Sequence, residues 1–157
     1  MGFRRALAIA LLWCCTAGAQ LPVVVAPDQQ RLLASTDARL AANKRLVYDF
    51  WREVMQAHDV ERAAQYVAEN LLQHDPNVPT GRAAFVRSLG QAPRQPPKAT
   101  IDDLVSIVAE GDLVVLGFRQ VLPDLAEEGQ TYTTTWFEML RVADGKIVER
   151  WNYGTKE

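Results

Sequence analysis

The spacing of apolar residues changes once along this chain, and that change is what most limits its fold. Before residue 99, apolar side chains recur three and four residues apart, most clearly from Leu46 to Met55, which is the period of an amphipathic helix. After residue 99 the period is two, in segments rich in Val, Ile, Thr and aromatic residues. Helices followed by neighbouring strands predict an α+β domain whose helices pack on one face of a curved antiparallel sheet.

Capping and turn residues give the predicted bounds of these elements. Asp28 is placed to cap a first helix that runs to about Ala42, Asp59 to cap a short helix, and Thr80 to cap another from Gly81 to Leu89. Turns that contain Gly, Asp or Pro separate four predicted strands. These strands are Ile101–Ala109, Leu113–Leu122, Thr131–Val142 and Lys146–Tyr153.

The N-terminal residues predict export. Two arginines precede an apolar run over residues 6–13, which is far shorter than the ~20 residues that a membrane-spanning helix needs, and small residues then lead to Ala19. We expect cleavage after Ala19 and a periplasmic or secreted mature protein; an uncleaved N-terminal anchor is the alternative. The predicted organisation is a signal peptide over 1–19, an extension with a helix over 20–42, and one domain over 43–157.

Cleavage would also change the charge and the cysteine content. Removing 19 of the 157 residues leaves 138 with a net charge of −4, because Lys plus Arg falls from 17 to 15 against 19 acidic residues. This charge does not favour nucleic acid as a partner. Both cysteines, Cys14 and Cys15, lie in the removed segment, so the mature chain would have no disulfide and no thiol nucleophile. With two histidines and no cysteine, we expect no metal site, and we expect no cofactor or membrane span.

Two motifs resemble those of a known family. Gln-His-Asp-Pro-Asn-Val-Pro at 73–79 follows the long amphipathic helix, and Asp-Gly-Lys-Ile at 144–147 opens the last strand. Together, between about Asn43 and Tyr153, they resemble the SnoaL-like branch of the nuclear transport factor 2-like superfamily. The resemblance implies a cone-shaped α+β barrel, with three or so helices on the concave face of the sheet enclosing a pocket, often in a homodimer. Members include polyketide cyclases, ketosteroid isomerase relatives and dehydratases, alongside binding domains.

The sequence departs from this family at the positions that carry its chemistry. The branch typically ends with His-Trp-Asp in its last strand and uses that aspartate as the acid/base, whereas this chain has Arg150, Trp151 and Asn152. An amide does not exchange a proton near neutral pH, so Asn152 cannot take that role. Gly117 stands where relatives commonly carry a histidine, which leaves His74 as the ionisable family position that survives.

The last hairpin should bring the candidate polar residues together. A three-residue turn centred on Asp144 would place Glu138 opposite Arg150 and Trp136 opposite Asn152, on the face that the resemblance directs toward the cavity. A slip of one residue in the register would break this arrangement.

Two of the candidate residues have both a functional and a structural interpretation. Arg150 could be a guanidinium directed at an anion or carbonyl and held by Glu138, or the two could form a cross-strand ion pair that contributes at most about 1 kcal/mol. His74 could transfer protons at the pocket mouth, or hydrogen-bond the backbone of its own turn.

These residues lead to one main hypothesis and two rivals. The main hypothesis is an exported protein that binds a small apolar or carbonyl-type ligand, with Glu138, Arg150 and Asn152 as polar contacts. The first rival is a cofactor-free isomerase, cyclase, dehydratase or hydrolase that uses His74 or Glu138; the second is a domain that only binds other proteins. Trp151 points to the opposite face, which favours a homodimer. The predicted apolar lining is Trp136, Phe118 and Met55 or Phe50.

Overall fold

The computed structural model describes residues 21–90, 92–152 and 154–156. The signal peptide predicted over 1–19 lies outside these residues, so its cleavage stays a prediction. Within the described part of the chain, no helix is both long and apolar enough to cross a membrane. The helices are α1 (Gln29–Leu32), α2 (Ala38–Phe50), α3 (Ala63–Tyr66) and α4 (Arg82–Ser88), and the strands are β1 (Val67–Gln73), β2 (Leu104–Glu110), β3 (Leu113–Pro123), β4 (Thr131–Ala143) and β5 (Lys146–Trp151).

The first helical segment is divided in two, so the prediction of one helix from Asp28 to Ala42 is wrong. Asp28 caps only the four-residue α1, whereas Asp37 accepts hydrogen bonds from two backbone N–H groups at the start of the 13-residue α2. The polar residues before Asp37 favour turns and caps over a helix interior, which is why the chain breaks there. Lys44 from α2 then donates to the carbonyl oxygens of Leu32 and Ala34, each at 2.6 Å, and satisfies the open end of α1.

The amphipathic stripe is confirmed as the main helix against the sheet. From α2 the chain continues into a wider π-helical segment, Trp51–Gln56, and the stripe residues Val47, Phe50 and Val54 are buried. Their partners in the core come from the inner face of the sheet, including Leu116 on β3. This segment therefore lies directly over the strands that carry the candidate site.

The other two predicted caps do not act through their side chains. Asp59 precedes a 3₁₀ turn, Val60–Arg62, but its carboxylate pairs with Arg94 at 2.9 Å. The residue before α4 is Gly81, with a φ of 105°, and the hydroxyl of Thr80 instead accepts a hydrogen bond from β1. A positive φ is easily adopted only by glycine, which explains why the helix starts one residue later.

The sheet has five strands in the order β1-β5-β4-β3-β2 and stays open at its two edges. The four predicted strands are confirmed and pair antiparallel. The fifth strand, β1, runs parallel to β5 and was not predicted, so the sheet is mixed. Val67 is the first residue of β1 and is buried. The α+β class, with helices on one face of a curved sheet, is confirmed.

The hairpin between β4 and β5 has a different register from the predicted one. Its turn is two residues long, Asp144-Gly145, and both have positive φ, 50° and 68°, as a type I′ turn requires. Val148, between Ile147 and Glu149, is an extra residue in β5 that has no partner. As a result, Leu140 rather than Glu138 pairs with Arg150. The shorter turn and the bulge each shift the register by one. Beyond the bulge the total shift is two, so Arg150 still lies on the same face as Glu138, as predicted, whereas Lys146 and Ile147, shifted by one, lie on the faces opposite to those predicted.

Candidate functional site

A buried ion pair lies at the centre of the inner sheet face. Glu138 on β4 is 1% exposed, and Arg150 on β5 is also buried. They are diagonal neighbours on one face rather than direct partners, and Arg150 Nε donates a hydrogen bond to Glu138 Oε1. The guanidinium carbon lies 5.6 Å from the ring centre of Phe85 on α4. The pair is thus held between the sheet and the helical layer.

Burial is the main influence on the pKa of the Glu138 carboxyl group. Loss of solvent raises the pKa of its carboxyl group to about 7, although the charge and the hydrogen bond of Arg150 act in the opposite direction and Asp75 adds to the rise. Glu138 Oε2 is buried and has no hydrogen-bond partner among the described residues. The protein therefore holds, away from water, a carboxyl group that can be protonated or ionised near neutral pH.

Asn152 is anchored by an aspartate that sequence analysis did not select. Its Nδ2 donates to Asp75 Oδ2 at 2.6 Å, while the backbone N–H of Asn77 donates to Asp75 Oδ1 at 2.9 Å. The Asn152 hydrogen bond is the main reason that the pKa of Asp75 is lowered. The other end of the amide, Asn152 Oδ1, is buried and unpartnered within the described part of the chain.

These polar groups line a cavity of about 330 Å³ between the π-helical segment and the sheet. A neighbouring cavity of about 280 Å³ shares part of this wall and adds Phe118. The aromatic wall is continuous, because Phe118 stacks on Trp136 with ring centres 4.5 Å apart and Trp51 lies 4.5 Å from Phe118. The residues lining the first cavity are Trp51, Met55, Gln120, Trp136, Glu138, Arg150 and Asn152.

Two of these lining residues were missed by sequence analysis, although the sequence contained a signal for both. Trp51 lies within the predicted amphipathic helix and precedes Met55 by four residues, so it shares the helix face of Met55. Gln120 follows Phe118 by two residues on β3, and the period of two places both on the inner face.

A larger concavity of about 500 Å³ lies beside the part of β4 that extends beyond β5. It shares Gln120, Trp136 and Asn152 with the first cavity and extends to Phe137 and Met139 on the other sheet face. Glu138 and Arg150 do not line it. We therefore place the candidate site in the smaller cavity, where the buried ionisable pair is.

His74 and Phe50 lie away from this cavity. The His74 ring stacks on Trp151 with centres 4.9 Å apart and planes 3° apart, and its Nε2 is 2.8 Å from Glu149 Oε1. With 47% of its side chain exposed on the outer sheet face, His74 does not occupy the expected pocket mouth. Phe50 is buried in the core, with its ring centre 5.9 Å from that of Phe85.

Gly117, where relatives commonly carry a histidine, lies on the outer face of the sheet. Gly117 pairs with Phe137 on the outer face, and a Cβ there would come within 2.8 Å of Ser106 Oγ and 3.1 Å of the Phe137 ring. A side chain at 117 would therefore not reach the cavity. Trp151, as predicted, also points outward, between His74 and the Arg141 guanidinium, which lies 5.5 Å from its ring centre.

An open curved sheet whose inner face, together with a covering helix, surrounds a small cavity is the nuclear transport factor 2-like fold. Residues 47–150 match the sequence profile of the SnoaL-like domain. Because this match covers well over half of the chain, the protein belongs to the SnoaL-like domain family. No protein of curated function is similar enough in sequence to match this chain.

Several solved structures have the same fold, and the names of these proteins state different activities. A proposed SnoaL-like polyketide cyclase from a Jannaschia species is 16% identical over 74% of this chain and 88% of its own, with a TM-score of 0.53. A proposed polyketide cyclase from Acidithiobacillus ferrooxidans is 18% identical over 76% and 90%, with a TM-score of 0.52. An LEH-like epoxide hydrolase from Mycobacterium tuberculosis is 14% identical over 76% and 82%, with a TM-score of 0.52. At these identities the likeness establishes the fold alone.

Proposed function

We propose that this protein binds a small, largely apolar ligand that carries an oxygen function, in the cavity beside Glu138 and Arg150. The observation that carries this proposal is the combination of an aromatic wall with buried polar atoms that lack partners among the described residues. A mostly apolar cavity with a few converging polar groups is the usual form of a small-molecule site, and about 330 Å³ is within the size range of such sites.

A ligand-binding test follows from the position of Met55 on the cavity wall. Met55→Trp should fill the cavity and lower the affinity for a bicyclic ketone, 2-decalone, by at least tenfold, as followed by tryptophan fluorescence. Met139→Trp is the matched control, because Met139 points to the outer face and the substitution should leave the affinity unchanged. Equal affinity in both variants, with both folded, would place the ligand elsewhere.

Proton transfer by Glu138 is the second candidate function. A desolvated carboxyl group that lines a cavity, with a pKa of about 7 and one oxygen unpartnered among the described residues, has the properties of a general acid/base. It could supply the proton chemistry that Asn152 cannot, in an isomerisation, cyclisation, dehydration or hydrolysis of a carbonyl compound. His74 has no part in this proposal, because it lies on the other face of the sheet.

Two further proposals concern the whole protein. The basic and apolar N-terminal residues support cleavage after Ala19 and a periplasmic or secreted location. The outer sheet face supports a homodimer, since Phe137 and Val108 are 57% and 58% exposed there, on the same face as Trp151. Apolar side chains grouped on one face favour contact with a second copy of the chain.

A further inference from the structure

Two hydrogen-bond acceptors, both buried, belong to residues on the same cavity wall. Glu138 Oε2 and Asn152 Oδ1 lack partners within the described residues, and both side chains line the cavity of about 330 Å³. Buried acceptors are almost always satisfied in folded proteins, because leaving them unpaired costs free energy. Two such oxygens, in residues that line one cavity, therefore suit a ligand group that donates hydrogen bonds.

The orientation of the Asn152 amide is set by Asp75. Asp75 has an ionised carboxylate, which only accepts hydrogen bonds, so it binds the NH₂ end of the amide at 2.6 Å. The reversed amide would place one oxygen against another. Because the two ends of an amide point apart, this anchor turns Oδ1 away from Asp75 and leaves it as a free acceptor.

Building on the proposed ligand-binding function, we infer that the cavity selects a hydroxyl-bearing ligand over the corresponding ketone, and that Asp75 is the residue that positions Asn152 to make this selection. A hydroxyl group can donate to Asn152 Oδ1, whereas a ketone oxygen there would face a second acceptor. Arg150, the donor on the same wall, uses Nε for Glu138 Oε1, and its other N–H groups can donate to a hydroxyl or to a ketone oxygen alike, so the difference between the two ligands comes from Asn152 Oδ1.

The selection should strengthen as the pH rises. A protonated Glu138 can donate to a ketone, whereas ionised Glu138 can only accept, and the pKa of this carboxyl is about 7. The charged groups that act on Glu138 are Arg150 on β5 and Asp75 in the turn after β1. From the helical side, Trp51 and Met55 bring no charge to the cavity. The preference for the hydroxyl ligand should therefore be greater at pH 8.5 than at pH 5.5.

The test uses two probes with one carbon skeleton, 2-decalol and 2-decalone, titrated against the full chain at pH 8.5 by tryptophan fluorescence. We expect the alcohol to bind about tenfold more tightly than the ketone, which corresponds to about 1.4 kcal/mol. Asn152→Leu keeps the approximate volume but removes the acceptor, and should bring the ratio of the two dissociation constants close to one. Asp75→Ala frees the amide to turn and should reduce the ratio. Asp112→Ala is the control. The Asp112 carboxylate binds Arg141 on the outer face, so its loss should leave the ratio of the dissociation constants unchanged.

The outcomes separate this inference from the proposed function. If wild type binds both probes equally or prefers the ketone, or if Asn152→Leu keeps the preference, the inference is wrong while ligand binding stands. If neither probe binds at millimolar concentration, both are wrong. The comparison of wild type with Asn152→Leu does not depend on Asp75→Ala, so it decides the question even if that variant unfolds.

Discussion

Glu138 carries a carboxyl group that folding removes almost completely from water. Its pKa rises from 4.5 to about 7, because desolvation outweighs the attraction of Arg150. A raised pKa means that the folded protein holds this proton more tightly than the unfolded chain does. The stability contributed by the group is therefore full below about pH 4.5 and is lost as the pH rises through 7.

Glu138→Gln should remove this pH dependence. Through this one group, the free energy of unfolding of wild type should fall by about 3 kcal/mol between pH 4.5 and pH 8, and the variant should not show that fall. Urea unfolding at a series of pH values measures the difference between the two proteins. Glu149→Gln is a control that should have the opposite pH dependence. Hydrogen bonds from Arg141 and His74 lower the pKa of Glu149, so the stability that Glu149 contributes is lost as the pH falls. Parallel curves for wild type and Glu138→Gln would contradict the assignment.

The same variant tests proton transfer. If Glu138 is a base, it should remove a proton from C2 of 3-cyclohexenone and return it at C4, which gives the conjugated 2-cyclohexenone without a cofactor. The rate, followed by ultraviolet absorbance, should rise through about pH 7 and be lost in Glu138→Gln. His74→Ala should keep the activity, because His74 lies on the outer face. Loss of turnover in His74→Ala alone would reverse these roles.

Among the elements, those with a regular apolar period were predicted well. The α+β class, the long helix and four strands followed from the change of period alone. The missed strand, β1, is short, carries Glu69 and Asn70, and pairs parallel with the last strand of the chain. Such a pairing joins segments far apart in sequence, so no local pattern indicates it.

The candidate site was predicted only in part, for the same reason. Glu138, Arg150, Asn152, Trp136 and Met55 do line one cavity, because the face of each followed from its own strand or helix; their role in binding stays a prediction. Asp75 comes to Asn152 only through the pairing of β1 with β5, which was not foreseen. The face on which each residue lies was therefore predictable from its own element, and contacts that depend on β1 were not.

The whole molecule presents two different sheet faces, one covered by the helices and one open. The open face carries the exposed Phe137 and Val108, together with Trp151 flanked by His74 and Arg141. Ring stacking and a cation–π contact hold this tryptophan in place, so the surface is already ordered before any partner binds.

A charge on the open face should separate the proposed homodimer. Phe137→Asp should convert the dimer to a monomer in size-exclusion chromatography with light scattering, because an aspartate would be buried without a partner in the interface. Leu125→Asp adds the same charge at a loop residue that is 99% exposed, and should leave the dimer intact. A wild-type protein that is monomeric at micromolar concentration would exclude this assembly.

The shorter turn and the bulge in the last hairpin determine which changes of length this protein can accept. Val148 has no partner in the ladder, so deleting it would remove the bulge while Ile147 stays opposite Val142 and Arg150 stays opposite Leu140. A residue added to the Asp144-Gly145 turn would enlarge the loop and leave the paired strands as they are. Inserting a residue between Glu149 and Arg150 would instead move the Arg150 charge to the outer face and the Trp151 indole to the inner face. The hairpin therefore accepts insertions and deletions at its tip and at its bulge, but not along the stretch that carries the buried ion pair.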